Sequence, residues 1–250
     1  MEVHAHTHTP RKKWTHYFWE FLMLFLAVFC GFLAENQREH LIEHKREKKY
    51  METLLVDLIK DTADLKLDSI LWDNKIKNID TIKSELNKKP AERNPVRLYR
   101  CVARTGFKKN FFYHDRTINQ LKNAGNFRLI RKKNISELLS DYGSYIINEV
   151  TPAEADFGDY YLDYLNMQNK LFNSEYFSLL RRQPKQFDSA AAARPDIIAM
   201  RNTDETLLFE YYNKLNVLDR HSWYRIIVYR AAMIRATKLI ELVKKEYHLK

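Results

Sequence analysis

From Phe21 to Ala34 the chain carries no charged or strongly polar residue, and Trp14, Tyr17, Phe18 and Trp19 precede that run. A helix of about 20 residues rises about 30 Å, enough to cross a bilayer core, and aromatic rings gather at headgroup level. The pattern predicts a transmembrane helix over 14–34. A buried core helix and a cleaved signal peptide are the competing readings. The run is apolar all round, unlike most core helices. It ends Gly31-Phe32-Leu33-Ala34-Glu35, with bulky residues where a small-x-small cleavage site is wanted. His16 and Glu20 reach the interface from the first turns; an intramembrane carboxylate that pairs with a partner is the sharper alternative. Ala27 and Gly31, four apart with Ala34 nearby, have the small-xxx-small spacing that lets two membrane helices approach closely.

After Ala34 the pattern becomes amphipathic. A long stalk helix is predicted over 35–89. Glu39, Glu43 and Glu47 repeat every four residues among Lys and Arg, the spacing at which helix charges pair. His40 and His44 share a face, read as exposed. Apolar positions then recur at alternating three and four steps: Met51, Leu55, Leu58, Leu65, Trp72, Ile76, Ile79 and Leu86, with polar slips at Thr62 and Ser69. That is a heptad-like seam, which needs a partner helix. Asp57, Asp61, Asp64 and Asp68 flank it and read as a solvated stripe. A second seam closes the chain: Ile226, Tyr229, Met233, Ala236, Ile240, Val243 and Tyr247. Antiparallel packing of the two seams is expected, which would return the C-terminus towards the membrane.

Between the seams the punctuation predicts shorter elements. Pro90 and Pro95 bracket a break, a short segment runs 96–103, and 106–110 is a turn. Asp115 heads a helix that Gly125 stops. Asn134 with Glu137 resembles a capping box. Thr151-Pro152-Ala153-Glu154 has the cap, proline and glutamate of a helix start. That helix runs to about Arg182, with a break near Asn173. Residues 184–195 read as irregular, Asn202 with Glu205 opens a helix over 203–215, and a separate last helix carries the second seam.

Only five glycines and six prolines occur in 250 residues. Sheets need turns and phosphate-binding loops need glycines, so an all-α protein is expected: a transmembrane helix continuing into a long amphipathic helix packed in an elongated helical bundle. The domains are a polar tail over 1–13, the span over 14–34, the stalk over 35–89 and a bundle over 96–250. The 42 cationic and 32 acidic side chains give a formal charge of +10. The cations interleave with acids along helices, the mark of solvated faces, and nucleic-acid binding is not expected.

Candidate chemistry is sparse. His4, His6 and His8 alternate in the tail and are weak candidates for metal binding, without a fixed geometry. Cys30 and Cys101 form no disulfide framework or CxxC site. Cys101 with His114 and Asp115 is a conceivable nucleophile pair without a signature. Glu149, Glu154, Asp156 and Asp159 cluster where they would complement a helix dipole. Tyr160, Tyr161, Tyr164, Phe172, Tyr176 and Phe177 read as bundle core, with an aromatic-lined ligand pocket as the alternative. No catalytic residue, cofactor or dedicated metal site is assigned.

The opening EVHAHTHTPRKKWTHYFWEFLMLFLAVFCGFLAENQREHLIEHKREKKY and the block TINQLKNAGNFRLIRKKNISELLSDY over 117–142 resemble an uncharacterised family of single-pass membrane proteins from Bacteroidota. The resemblance implies a membrane anchor and a bacterial setting, and carries no site residue. The expected partners are the lipid bilayer, a second copy through the transmembrane and stalk helices, and an unidentified protein. Arg11, Lys12 and Lys13 favour a cytoplasmic N-terminus with the helical domain beyond the inner membrane, although Arg38, Lys45, Arg46, Lys48 and Lys49 weigh on the other flank. The reading is a membrane-anchored helical scaffold or interaction protein of the bacterial envelope. An envelope sensor or small-ligand-binding domain is the alternative.

Overall fold

The computed structural model describes residues 13–155, 157–193 and 198–249. The fold is all-α, with no strand among the described residues. The chain divides into two compact units, Met1–Tyr50 and Met51–Lys250. The first helix, α1 (Trp14–Leu86, 73 residues), contributes to both.

In the first unit α1 is long and apolar enough to cross a membrane: an 18-residue window has a mean hydropathy of 2.0, and none of it is buried. Phe21, Phe25 and Phe29 stack along one side with centroids 6.3 and 5.9 Å apart, as four-residue spacing dictates. Beyond the apolar run Arg38 makes a two-pronged bond to Glu35.

The second unit is a helical body. Its helices are the remainder of α1, α2 (Pro95–Thr105), α3 (Arg116–Asn123), α4 (Lys133–Tyr145), α5 (Thr151–Ala155), α6 (Phe157–Leu171), α7 (Ser174–Arg182), α8 (Pro184–Ala193) and α9 (Glu205–Tyr247). The two expected seams meet in antiparallel sense: Lys83 pairs with Asp219 at 2.9 Å, and Arg225 stacks on Trp72. Most expected seam positions are buried, Leu55, Ile226 and Tyr247 among them, but each helix also buries a row that the pattern does not mark. On α1 the row Met51, Leu58, Leu65, Trp72, Ile79 and Leu86 is buried. The second buried row is Leu54, Asp61, Asp68, Lys75 and Ile82, one position from the expected Thr62, Ser69 and Ile76. On α9 Tyr229, Ala236 and Val243 are buried as expected, but their companions are Arg225, Ala232 and Leu239 rather than Met233 and Ile240. In both helices the buried row contains charged residues, which a pattern of apolar positions passes over. The aspartates are therefore no solvated stripe: Asp57, Asp61 and Asp68 are buried, and only Asp64 stays half exposed.

Local signals were correct where they depend on nearby backbone. Gly125 follows α3 with a left-handed φ of 63°. Asn173 separates α6 from α7 and accepts from Glu175 N. Asn94 caps α2. Glu85 at the end of α1 accepts from Asn94 N and from Lys88. Burial works to raise its pKa, yet those bonds and Arg97 hold it below the ordinary range.

Other expectations need correction. Asn134 lies inside α4, which starts at Lys133, and its Oδ1 takes only the neighbouring Ile135 N. Thr151 caps nothing, because a π-helical turn, Ile146–Val150, joins α4 to α5 without a break. The Thr151 hydroxyl donates back to Ile146 O at 3.0 Å. Residues Pro184–Ala193 form α8, where four alanines in a row outweigh the flanking prolines. Asp204, not Asn202, caps α9 by accepting from Leu207 N, and α9 runs unbroken over Glu205–Tyr247 rather than as a helix over 203–215 and a separate last one. Met51–Leu86 falls in the same compact unit as the later helices.

Gly125 has open space around a built Cβ, so its substitution reads backbone strain alone. Gly125→Ala is expected to lower stability by about 1 kcal/mol. Gly125→Asn should lose less, measured as urea midpoints of the detergent-solubilised protein.

Candidate functional site

The segment between α2 and α3, residues 106–115, has no regular structure, yet it lies against the charged rows of α1 and α9. Its backbone groups find no ladder partner, and buried side chains bind them instead. Tyr161 donates to Gly106 O, Lys75 Nζ to Phe107 O and Arg225 to Lys109 O, each at 2.9 Å. Phe111 N donates to Glu154 Oε1 at 2.7 Å, and His114 N to Asp61 Oδ1 at 2.9 Å. Asp57 accepts from Thr117 N at the head of α3. Lys109 reaches Asp68, and Tyr229 donates to Glu154. Glu154 thus turns inward rather than complementing a helix dipole. Of its expected companions, Asp156 lies outside the described residues, and so does the side chain of Asp159.

Burial dominates the titration of this network. Burial raises the Asp61 carboxyl against the lowering bonds from Tyr142 and His114. Tyr142 and Tyr229 are raised well above the phenol range by burial and by the carboxylates they bind. Lys75 is fully buried between Trp72 and Phe107, its Nζ 4.6 and 4.8 Å from their centroids. Burial, with Arg225 nearby, lowers it from 10.5 to about 7. Lys75 and Asp61 bind the connecting segment directly, and Tyr142 and Tyr229 bind the carboxylates that do, so the network clamps that segment.

Elsewhere α2, α6, α7 and the start of α8 line a cavity of about 640 Å³ that is open to solvent on one side. Arg100, Arg104 and Arg181 line it with Gln168, Leu165 and Phe177, and among the described residues no acidic one does. A neighbouring cleft of about 630 Å³ shares Arg100 and Arg104 and adds Lys77 and Arg97. Of the expected aromatic cluster, Tyr164 and Phe172 are core; Tyr161 and Phe177 wall the cavity, and Tyr160 is exposed.

No family model, curated protein or solved structure matches this chain.

Ala27 and Gly31 lie exposed on α1, with open space beyond Gly31. His4, His6 and His8 lie outside the described residues. His40 and His44 pair with Glu43 and Glu47 on their own helix. Among the described residues no group of three His, Cys, Asp or Glu side chains is placed to hold a metal ion. Cys101 and His114 are not brought together. Cys101 bonds to Thr81, and His114 binds Asp61. Those partners are 20 residues apart on α1, or about 30 Å. The arginine cavity was missed because its cations come from α2 and α7 and its amide from α6. The three-and-four spacing of Arg97, Arg100 and Arg104 was the one signal available.

Lys75 predicts a pH gradient. Between pH 7 and the ordinary lysine range the unfolded chain keeps a proton that the folded chain has released, so stability rises with pH. The gain is up to about 3 kcal/mol between pH 7 and about 9.5. Urea midpoints across that range should climb for the wild type and stay flat for Lys75→Met.

Proposed function

We propose that this chain is a membrane-anchored helical scaffold of the bacterial envelope that docks a protein helix, in the first instance from a second copy of itself. The observation that carries the reading is an apolar stripe left open on α1. Val56, Ile59, Leu67, Ile70 and Leu71 are 39–57% exposed. With Ala63 they run along one side of the helix for about 22 Å. Trp223, Ile227 and Ile234 form a second exposed stripe on α9. Because Arg225 stacks on Trp72, both stripes occupy the same stretch of the helix pair. Soluble surfaces rarely leave so many large apolar groups in a row, and such rows mark protein contacts. A self-complementary stripe is what a two-fold dimer uses, and Ala27 and Gly31 offer close approach in the apolar segment.

The anchor is the apolar part of α1, set in the inner membrane with the N-terminus cytoplasmic and the body periplasmic, as the basic residues 11–13 favour. The resemblance of the opening residues to Bacteroidota single-pass proteins supports the same setting.

Light scattering of the protein in nonionic detergent tests the docking. The wild type should be dimeric or larger, and Ile59→Glu with Leu67→Glu should reduce it to a monomer at unchanged helicity; a monomeric wild type removes the reading. The orientation is read with a new thiol, because Cys101 is buried and burial raises its pKa. Lys133 has an 87% exposed side chain. In Lys133→Cys, a membrane-impermeant maleimide should label intact cells after the outer membrane is permeabilised. Labelling only after lysis reverses the orientation.

A further inference from the structure

We propose that the cavity between α2, α6 and α7 binds a small organic anion: a compact acid on an apolar body that also carries an N–H or O–H donor. Three observations converge on that chemistry. The first is uncompensated charge. Arg38, Arg97 and Arg235 each pair with a carboxylate, and Arg100 at the cavity edge reaches Asp188. Arg104 and Arg181 face the same cavity, and among the described residues no carboxylate lies within ion-pair distance of either. Guanidinium groups gathered around one space repel one another until an anion sits between them, and their planar donors suit a carboxylate.

The second is an unused acceptor. Gln168 is 6% exposed and lines the cavity, and its Oε1 has no hydrogen-bond partner among the described residues. A buried acceptor left unpaired costs stability. The neighbouring phenol cannot supply the proton, because Tyr161 donates to Gly106 O. A ligand donor can. The third is the wall. Leu165, Phe177 and Leu180 give the cavity an apolar side, and about 640 Å³ is within the range of sites for small molecules. Gly106 leaves the approach open: a Cβ there would lie 3.8 Å from both Gln168 Oε1 and Leu165. Acid, apolar body and donor therefore each have a counterpart. Inorganic phosphate alone would use only the first, and a neutral apolar solute only the third.

The probe is 4-hydroxyphenylacetate, titrated calorimetrically into the full-length protein in nonionic detergent. Phenylacetate, which lacks the donor, and 2-(4-hydroxyphenyl)ethanol, which lacks the charge, are the comparisons. The acid with the hydroxyl should bind saturably and more tightly than either. Arg104→Ala, at an exposed position, should weaken it about tenfold or more. Gln168→Leu should abolish the preference over phenylacetate while leaving phenylacetate binding intact. Arg235→Ala, whose guanidinium pairs with Asp141, should change nothing. Circular dichroism checks each fold, and if Gln168→Leu does not fold, Arg104→Ala decides. No saturable binding of the hydroxy acid, equal binding of the three compounds, or equal affinity in Arg104→Ala and the wild type overturns the proposal.

Discussion

The body of this protein depends on buried charged side chains that bind the backbone of one irregular segment. Residues 106–115 pass among helices whose own amides and carbonyls are already used. Each buried backbone group on that path needs a partner. Lys75, Arg225, Glu154 and Asp61 supply them, with Lys109 closing onto Asp68. The arrangement also fixes the register of the two long helices. Apolar rows can slide by a turn at modest cost, whereas a row that places Asp61, Asp68 and Lys75 opposite defined donors and acceptors has one satisfied alignment. Removing one member leaves its partner buried and unpaired, the costly case for interior charges.

That dependence explains what the sequence could and could not reveal. The apolar row Met51–Leu58–Leu65–Trp72–Ile79 was legible because its period is local and its residues are greasy. The row beside it was read one position off, since Asp61, Asp68 and Lys75 look solvated to any rule that ranks side chains by polarity. Lys75 and Asp61 bind backbone atoms 32 and 53 residues away, and Asp68 meets the side chain of Lys109; no spacing on α1 points to them. Glu154 was misread for the same reason, its partners being Phe111 N and Tyr229. Caps and stops fared better. Asn173 and Gly125 act on the backbone within a few residues, and the structure places them as their chemistry requires. The arginine-lined cavity stayed hidden because it exists only once α2, α6 and α7 have packed.

The two units of the chain use apolar surface in opposite ways. In the first, large residues such as Phe21, Leu24 and Phe29 are exposed all round the helix, which water does not tolerate and lipid does. In the second, burial is nearly complete on one face and an apolar remainder, Val56 to Leu71, stays outside. The first pattern asks for a solvent. The second asks for a surface of matching shape.

The π-helical turn Ile146–Val150 has a consequence for how the chain tolerates change. Such a turn holds one residue more than the α-helical path it interrupts. Everything after it is rotated by about 100° relative to a regular helix, and that rotation is what aims Glu154 at Phe111 N and Tyr229. Deleting a single residue there would restore regular helical winding and swing the carboxylate away from both. In this stretch, then, shortening the chain by one residue is a harsher change than most replacements of a side chain, and the irregularity acts as a phase setting for the helices that follow.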